Sequence, residues 1–203
     1  NESKFNLITL IIETLDIFKV QCKEKDLKIK FDYDLYLPEE VIGDSLKLKE
    51  ILMNLISNAI KFTEEGCIIV SAESEKICSE KTKLRFTVTD TGIGIPQKKQ
   101  KMIFESFKQI DNSYCRNYKG TGLGLSICKE LVNIMDGEIW LESELGLGST
   151  FYFEVVVKTK SIDVEDKDDC IDEEFKIQPK ITNKIKVLLA EDDFINQKLT
   201  KAH

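Results

Sequence analysis

The chain has 203 residues, 42% hydrophobic and 32% charged, with three prolines and a net charge of −7, a composition that fits a globular protein of one domain plus an extra, or two small domains. No apolar run approaches the ~18–20 residues that a bilayer-spanning helix needs, and the N-terminus lacks a basic-then-apolar signal pattern, so a cytoplasmic location without direct membrane contact is expected. Six scattered cysteines without a C-x-x-C pair argue against a disulfide framework or zinc site, and the single histidine, His203, leaves no imidazole cluster for metal binding or catalysis.

In chain order, "LITLIIETLDIFKVQCKE" at 7–24 has helix-spaced apolar residues, and "LKIKFDY" at 27–33 alternates as a half-buried strand does. Asp44 is placed to cap a helix through "SLKLKEILMNLISNAIKFT", which Gly66 ends. Two strands follow, "CIIVSAES" and "KLRFTVTD". After an irregular stretch come a helix, "GLSICKELVNIM", and the strands "GEIWLES" and "STFYFEVVV". Helices and strands interleave, and strand-to-strand links are hairpin-like as often as helical. The expectation is an α+β fold: a two-layer α/β sandwich of about 155 residues, its mixed β-sheet covered on one face by helices.

Charge marks a boundary. The run "DVEDKDDCIDEE" at 163–174 holds eight acids and one lysine, and setting it aside leaves 28 residues of each sign. No basic patch for nucleic acid is indicated, and the run reads most simply as a solvated linker.

Asn54, Asn58 and Lys61 recur at i, i+4 and i+7, one stripe of the helix that begins at Asp44, with Glu50 in line before them and Leu52, Leu55, Ile56 and Ala59 opposite. A solvated polar face is the simpler explanation, but asparagine is a poor helix former, roughly 0.6 kcal/mol worse than alanine. Two on one stripe favour a ligand. An amide oxygen suits Mg²⁺, a hard ion that keeps several waters and shares substrate phosphates. Lys61 then meets phosphate. Asp90 ends a strand just before Gly92 and Gly94, where a carboxylate can accept from an exocyclic amine such as adenine's while glycine lets the ring approach. An ordinary strand-to-turn exit would look the same. Gly120, Gly122 and Gly124 alternate into a helix start, where free amides face phosphate. Neither the dinucleotide fingerprint nor a Walker loop fits, because Leu125 stands where each needs another residue.

Taken together, "NLISNAIKFT", "DTGIGI", "IFESFKQ" and "GTGLGLSI" resemble the N, G1, F and G2 boxes of sensor histidine kinases, the catalytic ATP-binding domain on the Bergerat fold. The resemblance runs from about residue 5 to 157, including "LPEEVIGDSLKLKEILMNL" and "MDGEIWLESELGLGSTFYFEV". It implies ATP and Mg²⁺ as cofactors, with Asn58 on the metal and Asn54 and Lys61 near the phosphates. It also implies that Asp90 reads adenine N6 and that Gly120, Gly122 and Gly124 wrap the phosphates. Phe62, Gly92, Gly94, Ile95, Thr121, Leu123 and Leu125 complete the implied nucleotide contacts. Phe104 and Phe107 are implied to anchor a lid over 105–120, from which Arg116 reaches the γ-phosphate.

A second resemblance begins at Ile185: "IKVLLAEDDFINQKLTKAH" is similar to the first strand and helix of a receiver domain, with Glu191 and Asp192 where such domains keep an acidic pair for Mg²⁺. An Asp193 that only caps a helix is the plainer alternative. The expected organisation is a kinase-like catalytic domain at 1–157, an acidic linker at 158–184 and a receiver start at 185–203, a piece of a hybrid histidine kinase. The acceptor histidine is expected on an upstream dimerisation module, the parent protein being a homodimer that relays phosphate to its receiver. Related ATPases of the same fold carry a glutamate base where Asn54 stands, and water activation needs such a base. A non-catalytic nucleotide-sensing module is the third reading.

Overall fold

The structure, a computed structural model, describes residues 2–105 and 122–159. It comprises β1 (Ser3–Asn6), α1 (Leu7–Glu24), β2 (Lys28–Tyr33), β3 (Glu40–Gly43), α2 (Ser45–Phe62), β4 (Cys67–Lys76), β5 (Lys81–Asp90), α3 (Gln97–Gln100), α4 (Gly124–Ile134), β6 (Glu138–Glu144) and β7 (Gly148–Lys158).

The two long helices start where side chains satisfy their first amides. Asn6 Oδ1 accepts from Thr9 N at 2.8 Å to open α1. Asp44 Oδ1 accepts from Lys47 N at 3.1 Å to open α2, while the Lys47 ammonium binds the other carboxylate oxygen and holds the Asp44 carboxyl far below the usual range. On α1 the buried residues are Leu7, Ile11, Thr14, Leu15, Phe18 and Cys22, a stripe at helical spacing. α1 ends at Glu24, and just beyond its cap Asp26, with a φ of 53°, turns the chain so that Leu27 N donates to Cys22 O at 2.8 Å.

The sheet runs β1-β3-β7-β5-β4-β2, with β6 also paired to β7. Among the described residues only β2 and β4 pair in parallel, Lys28 opposite Cys67, and the other pairings are antiparallel. It is a mixed sheet, as expected. β5 and β7 are the centre, with Leu84, Phe86, Val88, Phe151, Phe153, Val155 and Val157 buried on one face. There the Phe86 and Phe153 rings stack at 4.7 Å, and α2 packs with α1 on one flank and α4 on the other. The opposite face is polar and half open: Arg85 pairs with Glu154 at 2.6 Å, and Trp140 stacks on Tyr152 at 5.2 Å. This asymmetry makes a two-layer sandwich.

Five elements differ from the sequence-based expectation. β1 and β3 are four-residue strands that pair with each other, Ser3 opposite Gly43, and are too short to show a period. α3 is a single turn after Pro96. β4 and β5 also run further toward their hairpin, where Ile77 N donates to Lys81 O at 3.0 Å. Among the described residues no helix is long and apolar enough to cross a membrane.

Candidate functional site

The polar stripe of α2 borders the seam with α4. Asn54 Nδ2 donates to Glu50 O at 3.1 Å, which turns its Oδ1 toward the start of α4: a Cβ added to Gly124 would lie 2.9 Å from that oxygen. Asn58 is half-buried, and its side chain makes no hydrogen bond among the described residues. Its amide oxygen is available as a hard donor. One turn on, the Lys61 ammonium sits 5.1 Å from the centroid of the Phe62 ring.

Asp90, the last residue of β5, is only 6% exposed. Burial raises its carboxyl above the usual carboxylate range, partly offset by backbone hydrogen bonds from Gly92 and Ser149. Gly92 N donates to Asp90 Oδ1 at 2.9 Å, closing a tight turn around the carboxylate. No side chain fits at Gly92, because a Cβ would stand 2.4 Å from Phe62 O. Gly94 has φ +69°, and its Cβ would stand 2.0 Å from Glu144 O. Phe62, Asp90, Gly92 and Gly94 are therefore one assembly, tied further by Ile93 N donating to Phe62 O at 3.2 Å.

The sequence reading missed the residues that brace this turn. Ser143 Oγ accepts from Ile95 N at 2.7 Å and donates to Gly148 O at 2.8 Å. Gln100 Nε2 bridges Ile95 O at 2.9 Å and Ser143 O at 2.8 Å. Thr91 Oγ1 accepts from Cys67 N at 3.1 Å. A serine or glutamine in a polar strand or turn carries no sequence signal for such a role.

At α4, Leu123 O accepts from Ile127 N at 2.9 Å and from Ser126 Oγ at 2.9 Å, while Gly122 has φ +72°. Leu125 packs on the core. Phe104 also lies against the core, its ring edge-on to Phe151 at 6.5 Å. Cys128, on the buried face of α4, has its thiol pKa pushed up to about 12 by burial, an inert thiol. Phe107, Arg116, Gly120, Thr121, Glu191, Asp192, nearly all of the expected lid and the segments from 160 onward lie outside the described residues. A separate groove of 390 Å³, between Phe18 of α1 and Leu46, Lys49, Glu50, Met53, Asn54 and Ser57 of α2, includes Asn54 but neither Asn58 nor Asp90.

Residues 43–159 match the family described as histidine kinase-, DNA gyrase B-, and HSP90-like ATPase, more than half of the chain. The chain belongs to this family. Within it, the similar proteins are histidine kinases. The chain is 43% identical over 166 residues to the hybrid signal transduction protein dokA of Dictyostelium discoideum, covering 79% of this chain and 10% of that protein. It is 38% identical over 203 residues to the autoinducer 2 sensor kinase/phosphatase LuxQ of Vibrio vulnificus, covering 98% of this chain and 23% of that one. It thus spans a quarter or less of these relatives. Among solved structures, full-length ShkA in complex with AMPPNP superposes with a TM-score of 0.68 at 31% identity, over 79% of this chain and 32% of ShkA. The nucleotide-free catalytic domain of the histidine kinase ThkA gives 0.62 at 31% identity, over 76% of this chain and 95% of that domain. The fold of this family member is the Bergerat fold, and the chain carries a histidine-kinase-type ATP-binding domain.

The family implies Mg²⁺ with the nucleotide, and the side chains present fit it. Among the described residues no group of three His, Cys, Asp or Glu is gathered for a metal. One free amide oxygen at Asn58 suits an ion that arrives carried by phosphates and water.

Proposed function

We propose that this chain is the catalytic, ATP-binding part of a hybrid sensor histidine kinase, binding Mg·ATP and handing the γ-phosphoryl group to a histidine on a separate dimerisation module. The observation that carries the reading is the buried carboxyl of Asp90 at a strand end, wrapped by a turn that admits only glycine at positions 92 and 94. A recessed carboxylate of this kind accepts from an exocyclic amine, which adenine has and guanine lacks at the equivalent ring position. Asn58 would hold the metal and Lys61 and Asn54 the phosphates. Bound Mg²⁺ supplies charge neutralisation between the phosphate oxygens. Gly122 and Gly124, with Gly120 and Thr121, would offer backbone amides to the phosphates, Phe104 and Phe107 would anchor the lid, and Arg116 would reach the γ-phosphate.

Phosphoryl transfer depends mostly on positioning and electrostatics. In the reaction the bond between the γ-phosphorus and its bridging oxygen breaks, ADP leaves, and a bond to an imidazole nitrogen forms. Asn54 lacks a titratable proton site and cannot activate water as a general base, so hydrolysis by this chain is slow. In this reading the catalytic domain spans 1–157, an acidic linker 158–184, and a receiver begins at 185 with Glu191 and Asp192 as its acidic pair. The parent protein is a cytoplasm-facing homodimer.

Labelled ATP tests the reading. The chain alone should stay unlabelled and release little phosphate, whereas a dimerisation module added in trans or restored upstream should become labelled on histidine. Rapid hydrolysis by the isolated chain that Asn54→Ala abolishes would assign it to the ATPases instead.

A further inference from the structure

The adenine-reading turn rests on the last carbonyls of α2, and those carbonyls are held by a residue from another helix. Lys25 Nζ donates to Ile60 O at 2.7 Å, to Thr63 O at 3.3 Å and to Lys61 O at 3.5 Å. These are among the terminal carbonyls that a helix cannot satisfy itself, at the end where a cation is favoured. The residue between them is Phe62, whose carbonyl accepts from Ile93 N and limits position 92 to glycine. From Gly92 the connection reaches Asp90 Oδ1 in one hydrogen bond.

Local structure fixes the lysine in place. Lys25 is the C-cap of α1, its own N–H donating to Gln21 O. The left-handed Asp26 and the bond from Leu27 N to Cys22 O tie off the α1 terminus within its own turn. From there the ammonium crosses to α2. Its side chain is half-buried, so the charge is only partly screened by water.

We infer that Lys25 is a positioning residue of the nucleotide site: its ammonium fixes the C-terminal turn of α2, and through Phe62 O and Gly92 it sets the geometry of the Asp90 carboxylate. The inference rests on the adenine-binding reading of Asp90. It makes α1, more than sixty residues from Asp90 in sequence, part of what determines affinity.

The test uses the full chain with Lys25→Met, which keeps the aliphatic stem, and Lys25→Arg, which keeps a cation. Calorimetric titration with Mg·ADP should show binding weakened by roughly three- to tenfold in Lys25→Met, within the range of coupling carried through packed networks, and largely restored in Lys25→Arg. In an Asp90→Asn background the same substitution should cost less than about twofold, because coupled residues are non-additive. Hydrogen exchange without nucleotide separates this inference from the reading beneath it. The Ile93 amide should exchange faster in Lys25→Met while the Phe86 amide, in the sheet core, keeps its relative protection. Unchanged ADP affinity, equal losses in both backgrounds, or an unchanged Ile93 amide would overturn the inference. A wild-type chain that binds no ADP would instead overturn the adenine reading, leaving the exchange result to decide whether Lys25 holds the turn.

Discussion

The two glycine-bearing turns look alike in sequence and are held very differently. At 92–94 the missing side chains are demanded by backbone: Phe62 O stands 2.4 Å and Glu144 O 2.0 Å from where a Cβ would be. At Gly124 the nearest neighbour is the end of one flexible side chain, Asn54 Oδ1 at 2.9 Å. Backbone can yield only by moving a strand or helix, whereas an asparagine amide can swing aside. The first turn is thus part of the folded frame, whereas the glycine at the second faces a side chain that can move. The same residue type meets rigid backbone in one place and a movable amide in the other.

The largest test of that contrast is Gly94→Ala. It combines a positive φ with an overlap against strand backbone, so it should destabilise by about 3 kcal/mol or more. At this size that lowers the melting temperature by roughly 6–12 °C, readable by calorimetry. A loss below about 1 kcal/mol would mean the turn relaxes and is not part of the frame.

Asp90→Asn should separate binding from folding. Losing the anionic acceptor should weaken adenine nucleotide binding by about 1.5–3 kcal/mol, while the nucleotide-free protein at pH 7 keeps or gains stability. The sign follows from burial. The folded pKa of Asp90 is raised, so its ionisation disfavours the fold as pH rises through that value, and the wild-type carboxyl contributes most below its unfolded pKa of about 3.9. Nucleotide affinity runs the opposite way, falling as acidification protonates Asp90 at a pH above the ordinary carboxylate range. Melting and titration of wild type and Asp90→Asn from pH 4 to 7 would show both trends as differences between the two chains.

Gly124→Ala should have the smallest effect on stability. Alanine at the start of a helix gains up to about 1 kcal/mol over glycine, roughly offsetting displacement of Asn54, so melting should shift by no more than about 4 °C. Phosphoryl transfer to an added dimerisation module should fall nonetheless, because Asn54 is pushed from its place. A large melting change with unaltered transfer would erase the contrast between the turns.

How much of this was legible depended on whether a signal was local. The stripe of Asn54, Asn58 and Lys61 showed because a helix repeats every 3.6 residues, and Asp90 with Gly92 and Gly94 showed because strand alternation stops there. β1 and β3 did not, since each four-residue strand exists through a partner some forty positions away. Ser143, Gln100 and Lys25 were equally silent: each acts through a hydrogen bond to distant backbone. Their spacing in sequence says nothing about the contact. Family resemblance supplied the roles of Phe107, Arg116, Gly120 and Thr121, which lie outside the described residues, whereas the close packing at Gly92 and Gly94 emerges only when strands and α2 are in place.

The central claim is that the Asp90 turn selects adenine. The most direct measurement is calorimetric titration of the wild-type chain and Asp90→Asn with Mg·ADP and Mg·GDP at neutral pH. The account predicts that wild type binds ADP well and GDP at least about tenfold more weakly, the equivalent of 1.4 kcal/mol, and that Asp90→Asn loses most of that preference. Equal affinities for the two nucleotides in wild type, or a preference untouched by the substitution, would contradict it.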